Sequence, residues 1–153
     1  MSKVEEILSL KGISYQVLSH SKPVYTCEEA ARERNVPLHE MVKTILLVDK
    51  SGQYCLACIP GNRQLNLQKV REALKLRRLS FASREEVKQV TGYEVGSVPP
   101  VGLAKEIPII FDSCIAREET INISAGMPTK GLQMAAKQLI NLVSPLLSDI
   151  SVE

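Results

Sequence analysis

Residues 43–49 read Lys-Thr-Ile-Leu-Leu-Val-Asp, an almost unbroken apolar run. A short run without helical spacing predicts a strand buried on both faces. Ser51-Gly52 is a turn signal, and residues 54–59 return as a hairpin partner that ends at Pro60-Gly61-Asn62. Further strands are predicted over 13–18, 79–82, 107–112 and 120–126, where apolar residues alternate or cluster. Helical spacing marks the rest. Ser2 with Glu5, Thr26 with Glu29, and Ser83 with Glu86 each have the spacing of a capping box, and Asn66 is a fourth N-cap. These open helices over 2–11, 26–34, 66–74 and 83–91, with a short turn over 38–42. Leu132, Ala135, Leu139, Leu142 and Val143 predict an amphipathic C-terminal helix over 132–143, stopped by Pro145 and followed by a loose tail from about 148. Helices and strands alternate irregularly around a clear hairpin. The expected class is α+β: one domain over 1–153, with a mixed, mostly antiparallel sheet or barrel-like core flanked by helices.

One stretch fits no regular element. Residues 92–102, Gly-Tyr-Glu-Val-Gly-Ser-Val-Pro-Pro-Val-Gly, hold three glycines and two consecutive prolines. Glycine tolerates positive φ and exposes bare backbone to a ligand, while Pro99-Pro100 stiffens the exit. The plain reading is a helix C-cap at Gly92 followed by an irregular connection. The sharper one is a shaped binding loop.

Composition narrows the field. The apolar fraction of 44% and charged fraction of 24% are ordinary for a soluble domain, and 153 residues suffice for a real core. A formal charge of +2 permits a nucleic-acid partner without announcing one. With four Tyr, two Phe and no Trp, base-stacking platforms must be sparse. The charged N-terminus has no signal-peptide run, and no segment reaches the length that spans a bilayer. A cytoplasmic protein is expected. Cys55 and Cys58 have the spacing of a zinc or redox half-site, but three residues apart on a strand they point to opposite faces. The only histidines are His20 and His39, so neither a metal set nor a Ser-His or Cys-His nucleophile is expected, and no cofactor. Buried structural cysteines are expected instead.

Lys43 stands at the mouth of a core strand. Its side chain can snorkel to solvent, or it can present a fixed cation to a carbonyl, a phosphate or a developing oxyanion. Arg71, Arg77 and Arg78, near the end of the helix that begins at Asn66, suit the helix dipole or, more sharply, RNA phosphates. Asp112 is either a turn residue or an orienting carboxylate.

Lys43, the 92–102 loop, Ser124-Ala125-Gly126 and Gly131-Leu132-Gln133, in this order and spacing, resemble the YbaK/prolyl-tRNA synthetase-associated editing family. The resemblance spans about residues 4–143. It implies a free-standing deacylase that hydrolyses the ester of a mischarged tRNA, with a synthetase as a further partner. Cysteine or alanine, on tRNA for proline, are the leading substrates it suggests. It also implies that Lys43 polarises or positions the substrate, and that Gly96 and Ser97 lie at the reacting ester. Thr26, otherwise an N-cap, would line the aminoacyl pocket with Gly92, Val98, Gly102, Asp112, Ser124, Ala125 and Gly126. One departure stands out: where some branches of the family carry a histidine after the Ala-Gly pair, this chain has Met127 and Pro128. Two other readings share the same residues, a non-catalytic tRNA or nucleotide-binding module and a hydrolase of a different activated ester.

Overall fold

The first helix shows how the caps work. In the computed structural model, which describes residues 1–153, the Ser2 hydroxyl accepts from the Glu5 N–H, and the Glu5 carboxylate accepts from the Ser2 N–H. This opens α1 (Lys3–Leu10). There follow β1 (Gln16–Ser19), α2 (Cys27–Arg34), a 3-10 turn (Leu38–Glu40), β2 (Val42–Asp49), β3 (Tyr54–Pro60), β4 (Gln64–Leu65), α3 (Leu67–Leu74) and β5 (Leu79–Phe81). The second half comprises α4 (Arg84–Thr91), β6 (Ile109–Asp112), α5 (Ser113–Ala116), β7 (Thr120–Met127), β8 (Lys130–Ala135), α6 (Ala136–Val143), β9 (Leu146–Ser148) and β10 (Ser151–Val152). Asn66 and Ser83 cap α3 and α4 as their spacing predicted. At α2 the box is shifted: Thr26 accepts from the Glu29 N–H, but Glu29 reaches back one residue further, to the Tyr25 N–H.

The main sheet has the order β5-β2-β3-β6-β9, antiparallel across β5, β2 and β3 and parallel across β3, β6 and β9. A second sheet, β1-β8-β7, is antiparallel throughout, and β4 pairs with β10. This is the mixed, mostly antiparallel arrangement expected. The two larger sheets stay open instead of closing into a barrel, and an isolated bridge from Met41 to Asn122 joins them.

Both faces of β3 are covered, which is why its hairpin partner β2 carries a continuous apolar run. Leu56 and Cys58 pack with Leu8, Phe111, Ile123 and Leu139 on one side. Cys55, Ala57 and Ile59 pack with Leu47, Val70 and Ile150 on the other. The two thiols therefore face opposite cores, as strand alternation requires.

Two predictions fail at the C-terminal end. The helix expected over 132–143 starts only at Ala136; residues 130–135 are β8, the centre of its sheet. Leu132 and Met134 are buried with half-buried Gln133 between them, a strand alternation too short to outweigh helical spacing until β7 pairs with it. The tail is not loose either. Ile150 and Ser151 are buried, the Ile150 N–H donates to Asp112 Oδ1 at 2.9 Å, and the Asn66 N–H donates to the Ile150 carbonyl at 2.8 Å. Ile150 fills the second core, so an apolar side chain anchors a polar tail.

Candidate active site

The glycine loop is built from α4 outward. Gly92 takes the left-handed C-cap position with φ 85°, and Thr91 ties the exit by donating to the Val87 carbonyl and accepting from the Tyr93 N–H. Residues 94–97 then form a tight turn closed by the Ser97 N–H on the Glu94 carbonyl at 3.0 Å. Its third residue, Gly96, has φ 89°, a conformation open to glycine and strained for other residues. Space enforces the same choice: a Cβ on Gly96 would lie 2.7 Å from the Tyr25 carbonyl oxygen.

Two hydroxyls hold the loop to the sheets. Thr44, on β2, donates to the Val98 carbonyl, and Ser124, on β7, donates to the Ser97 carbonyl at 2.9 Å. Ser124 also accepts from the Gly126 N–H at 3.0 Å. Tyr93 supplies a third support. Its hydroxyl donates to the Gly102 carbonyl, and its ring lies on the bare face of Gly126, where a Cβ would sit 2.6 Å from Cε1. Across the opening, the carbonyls of Pro128 and Thr129 at the β7–β8 turn accept from Val24 and His20. That fixes segment 20–25 as the facing wall.

Between these walls lies a cavity of about 320 Å³. Thr26, Lys43, Gly96, Val98 and Ser124 line it, so five of the residues singled out in the sequence converge. Lys43 is half-buried as the second residue of β2 and makes none of the chain's ion pairs with carboxylates. Its ammonium is therefore available to a ligand. The Gly96 N–H has no backbone acceptor in the protein, whereas the Ser97 N–H is taken up by the turn. Of the two, Gly96 is the better oxyanion donor.

The remaining candidates lie elsewhere. Ser97 and Ala125 are buried behind the wall, and Gly126 seats Tyr93. Gly92 and Gly102 shape the two ends of the loop outside the cavity: Gly92 faces Ala104, and Gly102 borders a separate groove beside Ile7. Asp112 follows the turn-residue reading and not that of a carboxylate at the site. It is buried where β6 ends, caps α5 through the Cys114 N–H and holds Ile150, so it is structural. Arg77 donates its backbone N–H to Asp49 at the far end of β2, and Arg71 and Arg78 border one surface groove nearby. Asp49 lies six positions along the strand from Lys43, about 20 Å at the usual rise.

Cys27, Arg34 and Thr44 also line the cavity and were not singled out in the sequence. The adjacency of Cys27 to Thr26 and of Thr44 to Lys43 was the available signal. Arg34 had none, because its place depends on β8. Burial pushes the Cys27 thiol up to about 11, with the Lys43 charge opposing the shift. At neutral pH it is a thiol, not a thiolate nucleophile. No group of three or more His, Cys, Asp or Glu side chains is gathered to hold a metal ion, and no helix is long and apolar enough to cross a membrane.

A cation on a rigid strand and a turn with an unpaired backbone N–H line one small cleft, an arrangement suited to a polarised carbonyl or another anionic centre. Residues 21–142 match the model of the aminoacyl-tRNA editing domain, and the chain belongs to that family. A proline–tRNA ligase of Bacillus licheniformis is 35% identical over 107 residues, 70% of this chain but 18% of the ligase. The chain thus spans less than a fifth of that relative's length. The multifunctional Ser/Thr-tRNA deacylase ProXp-y of Escherichia coli K12 is 26% identical over 91% of this chain and 85% of its own. A crystal structure provisionally named as a trans-editing enzyme for prolyl-tRNA synthetase superposes with TM-score 0.87 at 25% identity, covering 98% of this chain and 95% of that one.

Proposed function

We propose that this protein is a trans-editing deacylase that hydrolyses the ester between a small amino acid and the terminal ribose of a mischarged tRNA. The observation that carries the reading is the pairing of Lys43 with the Gly96 turn across one cavity. Water adds to the ester carbonyl carbon. The oxygen that becomes negative is met by the Gly96 N–H and the Lys43 ammonium, and the ribose oxygen leaves with a proton. The products are the free amino acid and uncharged tRNA. An aminoacyl ester is activated enough to need no protein nucleophile, consistent with the high thiol pKa of Cys27.

The size and polarity of the cavity support a small side chain. At about 320 Å³ it is near the lower limit for small-molecule sites. Thr26, Thr44 and Ser124 commit their hydroxyl protons to protein oxygens, so what each hydroxyl can still offer a ligand is a lone pair and not a proton. That suits a side chain that donates, such as Ser, Thr or Cys, and tolerates the methyl of Ala. The name of the E. coli relative adds Ser and Thr to the Cys and Ala first expected. Arg71, Arg77 and Arg78 would meet the body of the tRNA, being too far from the cavity for its 3′ end. Association with a proline–tRNA ligase, in the cytoplasm where tRNAs are charged, is part of this reading; a ligase of that name carries a related segment.

The test is deacylation of a panel of tRNAs charged with Cys, Ala, Ser or Thr, with cognate Pro as control, by wild type and Lys43→Ala. Hydrolysis of a mischarged species, reduced about 100-fold or more in the variant, is expected. Binding of charged tRNA without any hydrolysis would favour the non-catalytic module. Equal activity on simple amino-acid esters would point to a different ester as substrate.

A further inference from the structure

The cavity holds a second cation. Arg34, the last residue of α2, lines the same cavity as Lys43, is half-buried, and makes no ion pair with a carboxylate. Its setting is built in detail. His20 donates from Nδ1 to the Lys22 carbonyl at 2.7 Å, which leaves Nε2 as an acceptor, and Arg34 Nε donates to it at 3.0 Å. The guanidinium lies flat against the backbone of Gly131 on β8, where a Cβ would come within 2.5 Å of Nη1. One donor of the fork is thus fixed by His20, and the two terminal nitrogens make no side-chain or backbone hydrogen bond. Burial penalises the charge and lowers the Arg34 pKa, so an anionic ligand would relieve a desolvation already incurred.

The chemistry of the substrate names that anion, given the deacylase reading above. An aminoacyl ester has no free carboxylate, and its α-amino group is itself cationic. The negative charge that accompanies it is the phosphodiester on the 5′ side of the terminal nucleotide, one sugar away. A planar fork matches phosphate oxygens in a bidentate fashion. We propose that Arg34, oriented by His20 and Gly131, binds this terminal phosphodiester while Lys43 serves the ester. The pocket then measures the distance from phosphate to ester and so distinguishes a charged RNA end from a free amino-acid ester.

The test uses two non-hydrolysable ligands: an amide-linked seryl-CCA trinucleotide, which carries the phosphodiester, and amide-linked seryl-adenosine, which does not. Calorimetry with wild type, Arg34→Ala, Arg34→Lys and Gly131→Ala reads their Kd values. Wild type binds the trinucleotide more tightly than the nucleoside. Arg34→Ala loses about tenfold or more on the trinucleotide and leaves the nucleoside unchanged. Gly131→Ala, which retains Arg34 but displaces its guanidinium, shifts Kd in the same direction, and Arg34→Lys recovers only part of the loss. Equal loss on both ligands, or wild type binding them equally, overturns the proposal. Hydrolysis of the mischarged panel is read separately, so an inactive wild type that still shows this phosphate dependence counts against the deacylase and not against the Arg34 site.

Discussion

The Ser124 hydroxyl donates to the Ser97 carbonyl at 2.9 Å and accepts from the Gly126 N–H at 3.0 Å, so one oxygen joins the glycine loop to β7. Removing it leaves both backbone groups without that partner. Ser124→Ala is expected to lose about 1–2 kcal/mol of stability, read by urea unfolding. Its deacylation rate should fall about tenfold or more, because Gly96 and Lys43 are no longer held at a fixed separation. A rate equal to wild type would show that the loop keeps its place without the bond.

Gly96 and Gly52 share φ 89° but differ in surroundings: nothing lies within 4 Å of a Cβ on Gly52, whereas Gly96 abuts the Tyr25 carbonyl. Alanine at either position carries the backbone strain of positive φ. Only Gly96→Ala must also move the wall of the cavity. Both variants should therefore melt lower, while activity falls about 100-fold in Gly96→Ala alone. Paired melting and deacylation measurements separate the two effects.

Cys27 provides a pH readout beside Lys43. Burial raises its pKa to about 11, and the Lys43 charge lowers it against that trend. Alkylation by iodoacetamide follows the thiolate, so it should be slow at pH 7 and accelerate toward about pH 11. Removing the positive charge in Lys43→Ala raises the pKa further, so alkylation at pH 9 should be slower than in wild type. Cys27→Ala should hydrolyse charged tRNA within a few-fold of wild type. A loss of 100-fold would restore the thiol as a nucleophile.

Asp112 belongs to the tail. Asp112→Ala leaves the Ile150 and Cys114 N–H groups without their acceptor in a buried setting. A destabilisation of about 2–4 kcal/mol is expected from the two lost charge-assisted bonds, measured in urea. The rate per folded molecule should be unchanged, since Asp112 does not line the cavity and its carboxylate is taken up by two backbone N–H groups. A selective loss of rate with stability intact would return Asp112 to the site.

Local rules account for what was legible in the chain. The caps at Ser2, Asn66 and Ser83 involve residues three apart, and the β2–β3 hairpin is set by an apolar run and a Ser-Gly turn. The same rules placed Cys55 and Cys58 on opposite faces, and the order of Lys43, the glycine loop and Ser124-Ala125-Gly126 pointed to the family. Pairing across long sequence separations decided the rest. Residues 130–135 became a strand because β1 and β7 flank them, and the tail is ordered because Ile150 reaches a core formed by Leu47 and Val70. Asp112 left the site because a backbone N–H 38 residues later claims its carboxylate. Arg34 entered it because Gly131, nearly a hundred positions on, has no side chain to exclude it. A single residue's spacing carries no trace of such contacts, because the partner that fixes each side chain is supplied only when the sheets assemble.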